Sequence, residues 1–389
     1  MNDSAKNHPS RLNLFASFLR LGLTAFGGPA MIAYIREMAV DRHEWLDGQT
    51  FKDGVVLCQS VPGATAMQSA AYVGMKAGGV PGALLSYIGF GLPAFAFMMV
   101  LSSLYAAYHG VPRVTSLFAG LQVLVCAVVA NAAWTFGRST FKHYEDIVFA
   151  VVAAVLFWAG LSPFIIIVVA AMAGILFPRS TPDPTPAKVQ SNPGRHYLIQ
   201  TAVPLLLLAA ALLALNLMDR KLFSLAALMM KVDLFAFGGG FASVPLMLHE
   251  VVGVRGWMDS KTFMDGIVLG QVTPGPIVIT ATFVGYLTHR IAGAIVATAA
   301  IFTPSFLMVI TITPIMDKLK SSIYFLKATK GILASFVGLL LFVTFKFSLA
   351  VHWDILKVLL GLAVLAALLK KVDLLYVVLA SAALSVFIF

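Results

Sequence analysis

Long apolar runs separated by short polar gaps fill almost the whole chain. Leu84–Tyr108, Leu117–Trp134, Ile147–Trp158, Phe164–Phe177, Tyr197–Leu217, Ile295–Ile315, Phe336–Phe345, Val358–Leu369 and Leu374–Phe389 follow one another in this way. About 20 apolar residues span a hydrocarbon core, fewer where polar ends snorkel. Several runs suffice alone and others need their flanks. A transmembrane barrel would show alternating apolar positions in segments of about ten residues, and these runs do not alternate. The pattern predicts an all-α, polytopic helical membrane protein.

Two of the apolar segments are interrupted, and in the same way. GVVLCQSVPGA occupies residues 54–64 and GIVLGQVTPGP occupies 266–276. The match extends outward: Trp45/Trp257, Phe51/Phe263, Asp53/Asp265, Gly54/Gly266, Gln59/Gln271, Pro62/Pro274 and Gly63/Gly275 recur at one offset, and LTAFGGP (23–29) lies against LFAFGGG (234–240). Chance likeness between apolar segments would match Leu and Val, not Trp, Asp, Gln and Pro in register. The chain is therefore an internal duplication. Its expected organisation is a first repeat at 11–178, a Pro-rich polar linker at 179–196, an extra transmembrane helix at 197–217 and a second repeat at 220–389. Each half shows four full crossings after a region of two short hairpins. The even count plus the single extra helix predicts inverted repeats, with a parallel arrangement as the alternative.

Composition adds to this picture. Hydrophobic residues make up 60% and charged residues 11% of the chain, with mean hydropathy +0.91, outside the range of soluble domains. The formal charge of +10 comes from 27 basic residues scattered between apolar runs, which argues against nucleic-acid binding. In the first half they gather on one side, predicting a cytoplasmic N-terminus and linker. The second half is ambiguous. Cys58 and Cys126 sit in apolar context, so no disulfide framework is expected, and the histidines show no ligand spacing, so neither is a metal site. No removable signal peptide is read at the N-terminus. No Walker motif and no nucleophile–base pair is present, so the chain reads as a carrier and not an enzyme, with no cofactor.

The interruptions carry the candidate chemistry. In lipid, irregular backbone survives only where protein buries it or it lines a wet cavity. Pro and Gly break the helix, and a helix starting at such a break points free N–H groups and a positive dipole end inward, which suits an anion. Candidate anion-binding residues are Gly27, Gly28, Pro29, Gln59, Pro62 and Gly63 in the first half. Their counterparts are Gly238, Gly239, Gly240, Gln271, Thr273, Pro274, Gly275 and Pro276. The bland alternative for the hydroxyl groups is bonding back to the local helix. Glu37 and Glu250 each follow a glycine motif in apolar surroundings. They are read either as proton-coupling carboxylates or as interfacial acids paired with Arg36 or His249. Asp53 and Asp265 read as helix N-cap or first-turn residues, and Asp233 as a local partner of Lys231.

AFGGP (25–29) with REMAV (36–40), and TFMDGIVLGQVTPGPIVITATFVGY (262–286), resemble the chromate ion transporter family in its long, two-domain form. The resemblance covers nearly the whole chain. It implies a carrier of the bacterial inner membrane that exports chromate on the proton motive force, conferring chromate resistance, with sulfate as the isosteric anion. Expected partners are such an oxyanion, protons and the lipid bilayer, with a second copy of the chain admitted. Two departures stand out: Pro-Gly-Pro becomes Pro-Gly-Ala at 62–64, and FGGP becomes FGGG at 237–240. The competing readings are sulfate uptake through the same site and a membrane scaffold in which the breaks serve packing alone.

Overall fold

The computed structural model describes residues 9–26, 28–177, 195–313 and 321–388, and they are helical almost throughout. In the first repeat the helices are α1 (Arg11–Thr24), α2 (Gly28–Arg36, continued by a π-helical stretch Glu37–Arg42), α3 (Gly48–Ser60), α4 (Thr65–Tyr108), α5 (Pro112–Thr140), α6 (Tyr144–Trp158) and α7 (Pro163–Leu176). The extra helix is α8 (Arg195–Met218). The second repeat returns the series as α9 (Arg220–Phe235), α10 (Ser243–Met247, continued by a π-helical stretch Leu248–Val254), α11 (Ser260–Val272), α12 (Thr280–Ile312), α13 (Ile323–Ala350), α14 (Ile355–Leu369) and α15 (Leu374–Ile388). Most of the polar linker lies outside the described residues. Five helical segments among those described are long and apolar enough to cross a membrane.

The two longest segments are not single spans. In α4 the helix breaks at Gly78 and Gly79, and the Ser86 hydroxyl donates to the Ala70 carbonyl at 2.8 Å. Residues 16 apart would stand about 24 Å apart in a straight helix, so the chain reverses here. The arms (α4a, 65–77, and α4b, 80–108) press together where a Cβ on Gly74 would lie 2.3 Å from the Gly82 carbonyl oxygen. The second repeat does the same at His289 and Arg290, giving arms α12a (280–288) and α12b (291–312). There the hydroxyls of Thr282 and Thr298 meet at 2.6 Å.

A second reversal precedes each of these. Tyr72 donates to the Thr50 carbonyl at 3.3 Å, and a Cβ on Gly54 would strike the Tyr72 ring at 2.1 Å. Helix α3 and α4a are thus the arms of a re-entrant hairpin whose tip is Val61–Ala64. Gly266 against the Phe283 ring repeats the arrangement. With 13 residues, α3 reaches about 20 Å, which ends it inside a hydrocarbon core about 30 Å thick. The end of α1 at Ala25, and the Phe-Gly-Gly turn between α9 and α10, form the other pair of tips.

Four full crossings per half were expected after the hairpins; the structure provides two long helices and two short ones. Helices α6 and α7 have 15 and 14 residues, about 22 Å each. They form a short pair packed on the α13 helix of the other repeat, as α14 and α15 pack on α5.

Contacts between equivalent helices show that the repeats are inverted. The Tyr87 ring lies 6.2 and 5.3 Å from those of Phe302 and Phe306, which are four and eight residues beyond its own counterpart, Thr298. Parallel helices would leave eight residues about 12 Å out of step; antiparallel ones bring them together. Likewise a Cβ on Gly137 of α5 would lie 3.6 Å from Val337 of α13, far from its counterpart Ser348. Equivalent helices that cross antiparallel require a two-fold axis across the helices, hence in the membrane plane.

Candidate functional site

The tips of both repeats meet, and they do so crosswise. The Gly63 N–H donates to the Ala236 carbonyl at 2.9 Å, and the Gly275 N–H donates to the Ala25 carbonyl at 3.1 Å. Each Pro-Gly tip therefore closes onto the end of α1 or α9 in the other repeat. Both glycines have φ near +115°, at 117° and 115°, a region that side-chain-bearing residues avoid. Gly238 and Gly239 are also left-handed, at 93° and 99°. A Cβ on Gly239 would stand 3.4 Å from the Thr65 hydroxyl, and one on Gly240 would stand 2.9 Å from Ile277. Gly28 and Pro29 open α2, while Gly27 lies outside the described residues.

The sequence expectation of free amides at the Pro-Gly breaks needs correcting. Pro62, Pro274 and Pro276 have no N–H, and the amides of Gly63 and Gly275 are occupied by the carbonyls just named. Donors remain one step further on. The first amide of α4a to bond back is that of Gln68, to Ala64 at 3.0 Å, so those before it have no intrahelical partner. The paired glutamines also part company. Gln59 is exposed, whereas the Gln271 Nε2 is enclosed with no hydrogen-bond partner. The Thr273 hydroxyl is not available, because it donates to the Leu269 carbonyl at 2.7 Å.

The acids depart from expectation more sharply. Glu37 and Glu250 are not counterparts. His43 N–H bonds to Met38 and Arg255 N–H bonds to Glu250, then Trp45 to Ala39 and Trp257 to Val251, so Glu250 stands where Met38 does. Glu37 lies eight residues before its tryptophan and Glu250 seven before its own, and on a helix one residue turns a side chain to another face. Glu37 is exposed. Glu250 is buried between Lys231 at 2.8 Å and Arg255 at 3.7 Å, a clamp that ties α9 to the π-helical stretch. Lys231 is therefore spent on Glu250 and not on Asp233; residues two apart on a helix do not face each other. The caps of α3 and α11 are Asp47 and Asp259, not Asp53 and Asp265. Asp265 is buried and bridges the repeats, accepting from Tyr105 and Gln122, both at 2.8 Å.

Two surface cavities lie away from this convergence. One, of about 540 Å³, is flanked by α6 and α7; the other, of about 680 Å³, runs from the start of α5 to the start of α14. The Pro-Gly tips are closed over by protein, with Val61 and Thr273 each 3% exposed.

Comparison with known proteins decides what kind of machine this is. The family model described as "Chromate transporter" matches twice, at residues 12–175 and 223–386. The chain belongs to the chromate transporter family. This transporter is 45% identical over 379 residues to an uncharacterised transporter of Methanocaldococcus jannaschii, covering 97% of this chain and 94% of the relative. It is 30% identical over 357 residues to a chromate transport protein of Cupriavidus metallidurans, covering 91% and 86% respectively. A chromate transport protein of Pseudomonas aeruginosa is 30% identical over 311 residues, covering 75% of this chain and 70% of that one. No solved structure matches this transporter. The two matched regions coincide with the two inverted repeats, so the crosswise tips are one of the places where the halves of the transporter meet.

Proposed function

We propose that the transporter exports chromate from the cell across the inner membrane, driven by the proton motive force, by parting and closing the four tips. The observation that carries this reading is the swapped pair of tip contacts, Gly63 to Ala236 and Gly275 to Ala25. Irregular backbone is costly in lipid, and here it is gathered from both repeats into one enclosed place. Inverted repeats that meet at broken helices are the usual architecture of alternating access around a central site.

In the closed conformation carbonyl oxygens hold the two glycine amides. When the tips part, those N–H groups are released together with the leading amides of α4a, and Gln271 Nε2 already stands unpaired beside the second tip. A dianion replaces the carbonyls as acceptor, and its charge makes each such bond stronger than the neutral one it displaces. The N-terminus and the linker face the cytoplasm in this scheme, and the boundaries 11–178, 179–196, 197–217 and 220–389 define two transporting units joined by linker and helix.

The test is uptake of labelled chromate into proteoliposomes and inverted membrane vesicles. Accumulation in inverted vesicles is expected, at least tenfold reduced by Gln271→Ala with membrane insertion unchanged. Sulfate accumulation in right-side-out vesicles instead would establish the uptake reading, and full transport by Gln271→Ala would establish a packing role for the breaks.

A further inference from the structure

Beside the first Pro-Gly tip lies a group of buried polar atoms with more acceptors than donors. Asp233 on α9 is 0% exposed. Its Oδ2 accepts two hydrogen bonds from one residue across the helix interface, from the Ser305 N–H at 2.7 Å and the Ser305 hydroxyl at 2.6 Å. Its Oδ1 has no partner. Gln68, also 0% exposed, donates its Nε2 to the Pro62 carbonyl at 2.6 Å, and its Oε1 has no partner either. Ser305 and Gln68 border the tip, and Asp233 reaches it through Ser305: a Cβ on Gly63 would lie 1.8 Å from Ser305 Oγ and 2.8 Å from Gln68 Nε2.

No cation faces Asp233 among the described residues. Tyr87 from α4b is the ionisable side chain beside it, with Cys58 of α3 next to Tyr87 in turn, and the Tyr87 hydroxyl donates to the Phe302 carbonyl at 2.7 Å. Along α8 beyond Thr201 and along α10 there is no ionisable residue. On α12, His289 and Arg290 stand about 22 Å of helix away from Ser305. Buried polar atoms are normally satisfied, and a carboxylate in a membrane interior needs a positive counterpart.

We propose that Asp233 is the proton-binding residue of the transport cycle, taking a proton on Oδ1 when the first tip is closed and releasing it when Ser305 and Gly63 separate. The proton supplies the positive charge that no side chain provides, and Ser305 reports the state of the tip to the carboxyl group. Glu250, held between two cations, and the exposed Glu37 are not needed for this step. The assignment rests on the proton-coupled reading above.

The experiment uses the full-length protein in proteoliposomes, with chromate flux measured under an imposed pH gradient and, separately, as chromate–chromate exchange without one. Asp233→Asn keeps the shape of the protonated acid. It is expected to retain exchange within about threefold, to lose gradient-driven accumulation, and to flatten the pH dependence of flux. Ser305→Ala retains the carboxyl group and is expected to shift the pH midpoint of flux while keeping accumulation, so the proposal stays testable even where Asp233→Asn does not insert. Asp233→Asn with wild-type accumulation and pH profile would overturn the assignment. So would an unshifted midpoint in Ser305→Ala, or a wild-type flux that follows sodium and ignores pH. A wild-type protein that exchanges chromate without responding to the gradient would sink proton coupling itself, which is a different failure from a gradient-driven wild type matched by Asp233→Asn.

Discussion

The two Pro-Gly tips share one backbone and differ in what surrounds it. Gly63 and Gly275 have the same dihedral and the same crosswise hydrogen bond. Around Gly63 stand Asp233, Ser305 and the unpaired Gln68 carbonyl oxygen. The positions equivalent to Asp233 and Ser305 around Gly275 hold Gly22 and Ala94, and the unpaired atom there is the Gln271 amide nitrogen. Acceptors surround one tip and a free donor stands beside the other, the difference on which the proposed proton and chromate roles rest. The two copies of a duplicated frame thus differ in the polar groups set around a shared backbone turn.

The most damaging way to probe that difference is to add a methyl group at each tip. Gly63→Ala combines a strained φ with a Cβ 1.8 Å from Ser305 Oγ, and is expected to cost about 4 kcal/mol. Gly275→Ala meets only the Ala94 methyl at 2.8 Å and is expected to cost about 2–3 kcal/mol. Thermal unfolding in detergent measures both. The double variant Gly63→Ala/Ser305→Ala should recover part of the difference from Gly275→Ala, because Gln68 Nε2 stays 2.8 Å away and Asp233 loses a hydrogen bond, and no recovery would mean that the Ser305 contact is not what separates the tips.

Smaller effects follow from side chains. Gln271→Ala should lower chromate flux about tenfold, roughly 1.4 kcal/mol in the barrier, while Gln59→Ala should change it less than about twofold, because that amide is solvent- or lipid-facing and paired bonds in such places contribute little. Equal losses would erase the distinction between the tips.

The outer reversals offer a further contrast. Gly79 and Arg290 occupy equivalent positions with φ of 65° and 53°, and their ψ values of −158° and −141° fall where almost only glycine is at ease. Arg290→Gly should therefore raise stability by about 1 kcal/mol in the same melt. At the bottom of the scale, Asp47 caps α3 by accepting from the Thr50 N–H at 2.8 Å. That bond, followed by the one from the Thr50 hydroxyl, holds its carboxyl below the ordinary range. The cap's contribution is present above the unfolded value of about 4 and is lost as pH falls through the lower folded value. Asp47→Ala should cost about 1 kcal/mol, and stability curves of the two proteins should converge in acid.

Periodicity and register by themselves determined the helical membrane class, the duplication, the extra helix and the breaks at Pro62-Gly63 and Pro274-Gly275, because hydropathy and helix-breaking chemistry act locally. Four features needed the tertiary structure. Asp233 sits two residues from Lys231, so the sequence offers an ion pair, and only packing shows that the lysine turns to Glu250. Gln68 and Ser305 look like ordinary helix residues until α9, α4 and α12 bring them around Gly63. The likeness of Glu37 to Glu250 dissolved through a one-residue shift that rotates a helix face. That the short apolar runs 147–158 and 164–177 form a paired set of short helices on α13, and not two full crossings, shows only in the packing. For Asp233, Gln68, Ser305 and the α6–α7 pair a contact between distant segments decided the role, and such contacts depend on which faces and tips the folded chain brings together.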